Sequence, residues 1–249
     1  MNDDFYDDMA ESYHLIFQDW DAAIQSQSDV IGRLLSSLPP HATVLDCSCG
    51  IGTQAIGLAM RGFKVEGSDP SQASITRASR EAAARHLSAV FRVDDMRTLA
   101  TAEPNRYDAV IAMDNALPHL QSDEEITAAF SSMRSRLRTD GVLLISLRDY
   151  AVLLDDRPAG TPPAFYRDGP DRRIVHQIWD WQDDCRYVVH LFITVGKDGK
   201  WQTRHFSGLY RAVTPSHVQQ LMLSVGFRNC RILKPEETGY YQPVLTGIH

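Results

Sequence analysis

This sequence is poor in the residues that make staples, anchors or nucleic-acid surfaces. Four cysteines in 249 residues are too few for a disulfide scaffold. Cys47 and Cys49 share one short segment without further ligands nearby, and their spacing is not Cys-x-x-Cys, so neither a metal nor a redox pair is expected. Reduced thiols point to a cytoplasmic protein. Basic residues number 25 against 32 acidic ones, a net charge of −7, which leaves no basic surface for a phosphate backbone. No apolar run approaches the roughly 20 residues that cross a bilayer. The acidic start (Met1, Asn2, Asp3, Asp4) is the reverse of a secretory leader, so neither membrane nor export is expected. Repeats and low-complexity tracts are also missing. What remains is an ordinary globular balance, 43% apolar and 23% charged, long enough to bury a sizeable core.

From residue 43 to about 146, short apolar runs alternate with amphipathic stretches. Strands are expected at 43–47, 64–68, 89–93, 107–113 and 141–146, with helices at 52–61, 71–85 and 123–138. Such alternation implies right-handed crossovers and a parallel sheet covered on both faces. The pattern then changes. Residues 155–172, rich in Pro, Gly, Asp and Arg, read as a loop. Three strand-like runs follow, at 174–181, 187–195 and 201–212, as an antiparallel meander. Thr214 and Pro215 open a helix that Gly226 closes, and two last strands lie at 227–233 and 244–248. The expected fold is α/β, a doubly wound, seven-stranded, mostly parallel sheet. Residues 1–38 form an N-terminal helical lid, 39–150 a ligand-binding core, 151–212 a three-stranded antiparallel insertion after the fifth strand, and 213–249 a helix and hairpin completing the core. Ligands of open α/β sheets sit at the carboxyl ends of the strands, where both additions can cover them.

The most informative segment is Val44-Leu-Asp46-Cys-Ser-Cys-Gly50-Ile-Gly52-Thr-Gln-Ala. Gly50-x-Gly52-x-x-Ala55 satisfies a dinucleotide fingerprint. Asp46, however, ends the strand where a diphosphate would be repelled and a cation welcomed. S-adenosylmethionine is cationic and free of phosphate. Asp69 ends the second strand, placed for two ribose hydroxyls. Asp95, with Asp94 competing, follows the third strand, placed for the adenine amino group, and Met96 offers a backbone N–H and an apolar contact.

Asp46 to Thr53, Asp69, Asp95, Met96 and the closing antiparallel hairpin resemble class I S-adenosylmethionine-dependent methyltransferases, over about residues 40–150 and again 214–249. The resemblance implies a seven-stranded sheet whose last strand is antiparallel. Two segments, Met113-Asp-Asn115-Ala-Leu-Pro-His119-Leu and Leu147-Arg148-Asp-Tyr150, resemble the glycine N-methyltransferase branch. That likeness implies Arg148 clamping a substrate carboxylate, Asn115 helping to hold an amino acid, His119 beside the cofactor, and the Met113 carbonyl accepting from the cofactor's ammonium. The stretch 206–211, with Tyr210, resembles a substrate-side strand of the same branch. Ala116 replaces a small hydroxyl residue and Leu147 replaces histidine, and the N-terminal segment keeps Tyr6, Tyr13 and Trp20 without a glycine-rich entry loop.

The expected acceptor is therefore a small polar molecule, an amine with or without a carboxylate. Methyl transfer from a sulfonium is an in-line displacement that needs alignment and dryness more than a nucleophilic side chain. His119, or Tyr13 and Tyr210 through hydrogen bonds, would take the amine's proton, and Tyr6 and Tyr13 would close over the sulfonium. Tyr240 or Tyr241 could reach back from the last turn. The competing readings are O-methylation of a small molecule, an NAD-dependent oxidoreductase built on the same turn, and a non-catalytic binding subunit.

Overall fold

The computed structural model describes residues 4–168 and 171–249. Its central sheet has seven strands: β1 (Thr43–Asp46), β2 (Lys64–Asp69), β3 (Val90–Val93), β4 (Tyr107–Ala112), β5 (Leu137–Ser146), β10 (Arg228–Leu233) and β11 (Val244–Ile248). Their order is β10-β11-β5-β4-β1-β2-β3. β11 runs antiparallel to both its neighbours, and the pairs among β1 to β5 are parallel. Alternation along the central strands feeds two cores. Leu45, Val110, Leu143 and Ile145 pack with α5 (Asp123–Arg136) and α7 (Pro215–Ser224) through Ile126, Phe130, Val218 and Met222. Val44, Ala109, Ile111 and Leu144 pack on the opposite face with α2 (Trp20–Leu34) and α3 (Thr53–Met60) through Ile31 and Leu58. Both faces of the central strands are thus dry, which is why those strands read as continuous apolar runs.

The expected helices form with small shifts. Ser71 caps α4 (Gln72–Ala84), Ser122 caps α5, and Thr214 caps α7 with Pro215 behind it. Before the core lie α1 (Asp4–Met9), a 3-10 turn (Tyr13–Ile16) and α2.

The region after β5 differs from expectation in two ways. A helix, α6 (Tyr150–Asp156), starts under an Asp149 side-chain cap, where the sequence promised only the end of the core. The antiparallel sheet has four strands: β6 (Ala164–Asp168), β7 (Asp171–Trp181), β8 (Arg186–Lys197) and β9 (Lys200–Arg211). The three expected strands are present. The fourth, β6, lies in the stretch read as a loop, because its prolines and glycines flank Ala164-Phe-Tyr-Arg rather than interrupt it; residues 169 and 170 of that loop lie outside the described residues. A further short helix, α8 (Pro235–Thr238), occupies part of the expected last turn. The inner face of this second sheet carries Trp179, Tyr187, Val189 and Tyr210 into the same apolar core as Leu147 and Tyr150. Its other rows, Val175, Leu191 and Ile193, receive Phe5 and Met9 of α1. The second sheet and the N-terminal segment therefore cover the carboxyl ends of β1, β2, β4 and β5.

Candidate active site

The turn after β1 is built from two left-handed glycines, Gly50 (φ 50°) and Gly52 (φ 96°). A side chain at Gly52 would meet Ile56 at 3.0 Å, whereas one at Gly50 would point into open space. The turn thus presents bare backbone to the crevice. Asp69 supports it: one carboxylate oxygen accepts from Gly50 N–H at 2.9 Å, the other from Ser71 N–H at 3.0 Å. Burial pushes the Asp69 pKa up to about 6. Around this turn runs a narrow crevice lined by Tyr6, Tyr13, Gly50, Asp69, Asp95, Met96, Met113, Asp114 and His119, among others. Three carboxylates line it and, among the described residues, no lysine or arginine. That wall suits a cation and disfavours a diphosphate.

Asp46 lies one layer deeper. It does not line the crevice but sits beneath the turn, with one oxygen 3.4 Å from Ser48 N–H and the other buried without a partner. Burial, with Asp69 and Asp114 adding repulsion, raises its pKa to about 8.

Beyond the crevice, toward the second sheet, opens a cavity of about 490 Å³. Its lining includes Tyr13, Asp114, Arg148, Gln177, Tyr210 and Tyr241, and its charged members are one acid and one base, Asp114 and Arg148. Arg148 donates to Tyr187 Oη and Gln177 Oε1, each at 3.1 Å, and lies 4.8 Å over the Trp179 ring. Neither Asp149 nor Asp155 takes it. Among the described residues it has neutral partners only, and a guanidinium has five N–H donors to place. Tyr6, Tyr13 and Asp114 line both the crevice and the cavity, so the two spaces meet there.

The methyltransferase-domain family matches residues 44–141. The chain is 25% identical over 183 residues to a glycine/sarcosine N-methyltransferase of Halorhodospira halochloris, covering 70% of this chain and 68% of that one. Of two further glycine/sarcosine N-methyltransferases the chain spans about half the length. It is 26% identical over 184 residues to a Streptomyces venezuelae dTDP-3-amino-3,4,6-trideoxy-alpha-D-glucopyranose N,N-dimethyltransferase, covering 74% of this chain and 73% of that one. In fold it is similar to CalS10, an amino pentose methyltransferase from Micromonospora echinaspora solved with S-adenosylmethionine bound. The TM-score is 0.73 at 20% identity, over 96% of this chain and 94% of that one. The chain is a class I S-adenosylmethionine-dependent methyltransferase. The acid-lined, phosphate-averse crevice is what such a cofactor requires, and the dinucleotide reading of the glycine turn falls.

Several assignments in the methyltransferase shift once the side chains are in view. Asn115, expected on the substrate, lines the cavity beside Arg148. Its amide is buried and used at both ends, Oδ1 accepting from Arg148 N–H and Nδ2 donating to Tyr150 Oη, each at 3.0 Å. It braces the turn that aims Arg148. Asp94, the competitor of Asp95, is occupied by Ala100 N–H, Thr101 N–H and the Thr101 hydroxyl, so its part is structural. Asp95 does line the crevice, with Arg97 gripping both its oxygens at 3.0 Å. Burial alone would raise its pKa, but the Arg97 hydrogen bonds outweigh burial and lower it. His119 shares a 2.7 Å hydrogen bond with Tyr6 Oη, and its ring packs at a tilt 4.3 Å from that of Tyr210. Burial, then Arg148, push its pKa down to about 4, so it stays neutral and makes a poor proton store near pH 7. Tyr13 and Tyr210 hold their protons firmly, raised first by burial.

Four participants escaped the sequence reading. Gln177 and Tyr187 hold Arg148; their only signal was their alternation on the inner face of β7 and β8. Asp114 and Gln54 form a half-buried pair at 2.6 Å. Both Tyr240 and Tyr241 reach back, donating to Asp114 at 2.5 and 2.7 Å. Among the insertion residues, Arg204 binds the Ser12 hydroxyl of the N-terminal segment and Arg211 pairs with Asp123 at 2.7 Å, so both tie elements together.

Proposed function

We propose that this methyltransferase N-methylates a small amine bearing a carboxylate, with the carboxylate paired to Arg148. One observation carries the reading: a largely enclosed arginine at the carboxyl end of the sheet, held in place by neutral partners, in a cavity that meets the cofactor crevice. A planar guanidinium so placed takes a carboxylate in bidentate fashion. The kinship with glycine/sarcosine N-methyltransferases supports the same class of acceptor.

Gly50, Asp69, Asp95, Met96, the Met113 carbonyl, Tyr6 and Tyr13 would hold the cofactor, which would supply an electrophilic methyl on a cationic sulfur. The chain's own part is alignment and exclusion of water. Arg148 fixes one end of the acceptor, Asn115 fixes Arg148, and Tyr6, Tyr13 and Tyr210 close the space around the reacting nitrogen. An amine must present its lone pair. With His119 neutral and the tyrosines protonated, these groups accept or donate hydrogen bonds, and the proton leaves to solvent.

A nucleotide-linked amino sugar, the acceptor named for the Streptomyces venezuelae relative, would need a diphosphate site. A further cavity, about 650 Å³, lined by Tyr6 and His119 among others, carries among the described residues a single arginine, Arg186, already paired with Asp183 at 2.6 Å, and Asp7 lines the same space. That lining favours the unlinked amine.

Labelled S-adenosylmethionine offered with amino acids, simple amines and their hydroxy counterparts tests the proposal. Methyl should pass to a carboxylate-bearing amine. Arg148→Ala should raise the KM for that acceptor by about 10- to 100-fold, the scale of losing a charged hydrogen-bond pair, with S-adenosylhomocysteine affinity unchanged. Transfer to the hydroxy compounds alone, or an unaltered KM in the variant, would overturn it.

A further inference from the structure

Methyl transfer happens where the cofactor crevice and the acceptor cavity meet, and among the described residues the one charged side chain lining both is Asp114. Its placement is unusual. Asp114 and Asn115 are consecutive non-glycine residues in the left-handed region (φ 55° and 68°), one residue beyond the end of β4. Such a pair is uncommon. It is held by two bonds to one residue of β5: Asp114 N–H donates to Ser146 Oγ at 2.7 Å, and Asn115 N–H to the Ser146 carbonyl at 3.1 Å. Backbone strain of this kind persists only where the surroundings enforce it. Here it turns one side chain to Arg148 and the other to the junction.

The Asp114 carboxylate is gripped by neutral donors alone. Gln54 Nε2 reaches one oxygen, and the Tyr240 and Tyr241 hydroxyls reach the other. Gln27 backs the cluster, accepting from Gln54 at 2.6 Å. These donors orient the carboxylate without supplying a countercharge, and Asp46 lies close enough to repel it. Burial raises the Asp114 pKa, as it does for an acid lacking a cation.

We infer that Asp114 is the amine-binding residue of the acceptor site, so that Asp114 and Arg148 together select a molecule with a cationic nitrogen at one end and an anion at the other. The inference rests on the proposed acceptor class and names the group that reads its nitrogen. It also gives that group a part in the transfer. The bound ammonium first gives up one proton to solvent; the lone pair so freed forms the new C–N bond, the C–S bonding pair leaves with sulfur, and the positive charge passes to a nitrogen lying against the carboxylate. The product leaves as a methylated ammonium.

Asp114→Asn is the variant of choice, since asparagine tolerates the left-handed backbone and keeps one acceptor oxygen. Protein loaded with S-adenosylhomocysteine would be titrated calorimetrically with glycine, β-alanine and γ-aminobutyrate, each against its deaminated counterpart: acetate, propionate and butyrate. Methylamine, ethylamine and propylamine complete the set. The wild type should bind the best-fitting amino acid at least about tenfold more tightly than its counterpart, a difference of about 1.4 kcal/mol. Asp114→Asn should shrink that preference below about twofold, while the affinities for the carboxylate and for S-adenosylhomocysteine hold. Three results would overturn the inference: a preference that persists in the variant, a folded variant that loses S-adenosylhomocysteine instead, or a wild type indifferent to the amine. Alkylamines bound through Asp114 while carboxylates fail would spare Asp114 and sink the Arg148 clamp. If Asp114→Asn does not melt as a folded protein, Asp114→Ser carries the same comparison.

Discussion

A carboxylate under a glycine turn has to answer for its own burial. Asp46 is about 1% exposed, with one oxygen weakly held and the other unpartnered. Burial first, then Asp69 and Asp114, bring its pKa to about 8. Unfolded carboxyls titrate near 4, so between about pH 4 and pH 8 the folded chain keeps a proton that the unfolded chain has lost. The stability tied to neutral Asp46 is fully present below pH 4 and is lost as pH rises through about 8. Asp69, at about 6, adds to the lower half of that window. The ligand-free melting temperature should therefore fall from about pH 5 to about pH 8, and Asp46→Asn should flatten most of the fall. A cationic cofactor favours the ionised carboxylate, so affinity for S-adenosylmethionine should rise over the same range. A wild-type melting temperature that is level between these pH values would show that Asp46 is not held neutral.

At the level of elements, the N-terminal segment is fastened to the core by a handful of polar bonds. Asp7 accepts from Ser71 Oγ at 2.5 Å and from Ala73 N–H at 3.0 Å at the start of α4. Arg77 reaches the Ala10 carbonyl at 2.7 Å, and Trp20 Nε1 donates to Thr53 Oγ1 at 2.9 Å. With Tyr6 and Tyr13 inserted, the crevice keeps only about 80 Å³, room for a few waters. A nucleoside-sized cofactor enters only if this segment gives way and then resettles. Asp7→Ala removes a helix-terminal acceptor at a cost of about 1 kcal/mol. It should speed protease cleavage within residues 4–18, with S-adenosylhomocysteine restoring protection. Equal cleavage with and without S-adenosylhomocysteine would mean that the segment stays shut. The helices before the core and the seven-stranded, mostly parallel sheet were legible beforehand because period and glycine chemistry are local properties. β6 was not, since a five-residue strand between prolines carries no periodicity. The glycine turn was legible because left-handed backbone favours one residue type at Gly50 and Gly52. Asp114, Gln177 and Tyr187 were not, because their roles arise from contacts across 29 to 127 positions of sequence separation.

Over the whole molecule, the boundaries expected at residues 150 and 212 cut through a single apolar core. Trp179, Tyr187, Val189 and Tyr210 of the second sheet share it with Leu45, Val110, Leu143 and Tyr150 of the first. Tyr187 is the strongest tie. It is fully buried, its hydroxyl lies 2.8 Å from Tyr150 Oη and accepts from Arg148, and its ring packs 4.8 Å from Trp181. Two sheets that shared no core would melt separately, and losing a side chain in one would spare the other. Here the proposed acceptor cavity lies between them, so rigidity of the joint is also rigidity at Arg148. Tyr187→Ala should cost about 3–5 kcal/mol, the range for deleting a buried aromatic, and lower the melting temperature of the entire chain in one calorimetric transition. It should also raise the acceptor KM, because Arg148 loses the hydroxyl that orients it. Tyr187→Phe separates the two effects: it keeps the packing and most of the stability while weakening acceptor binding. Two resolved transitions in the wild type, or a core transition unmoved by Tyr187→Ala, would show that the second sheet is an appended unit.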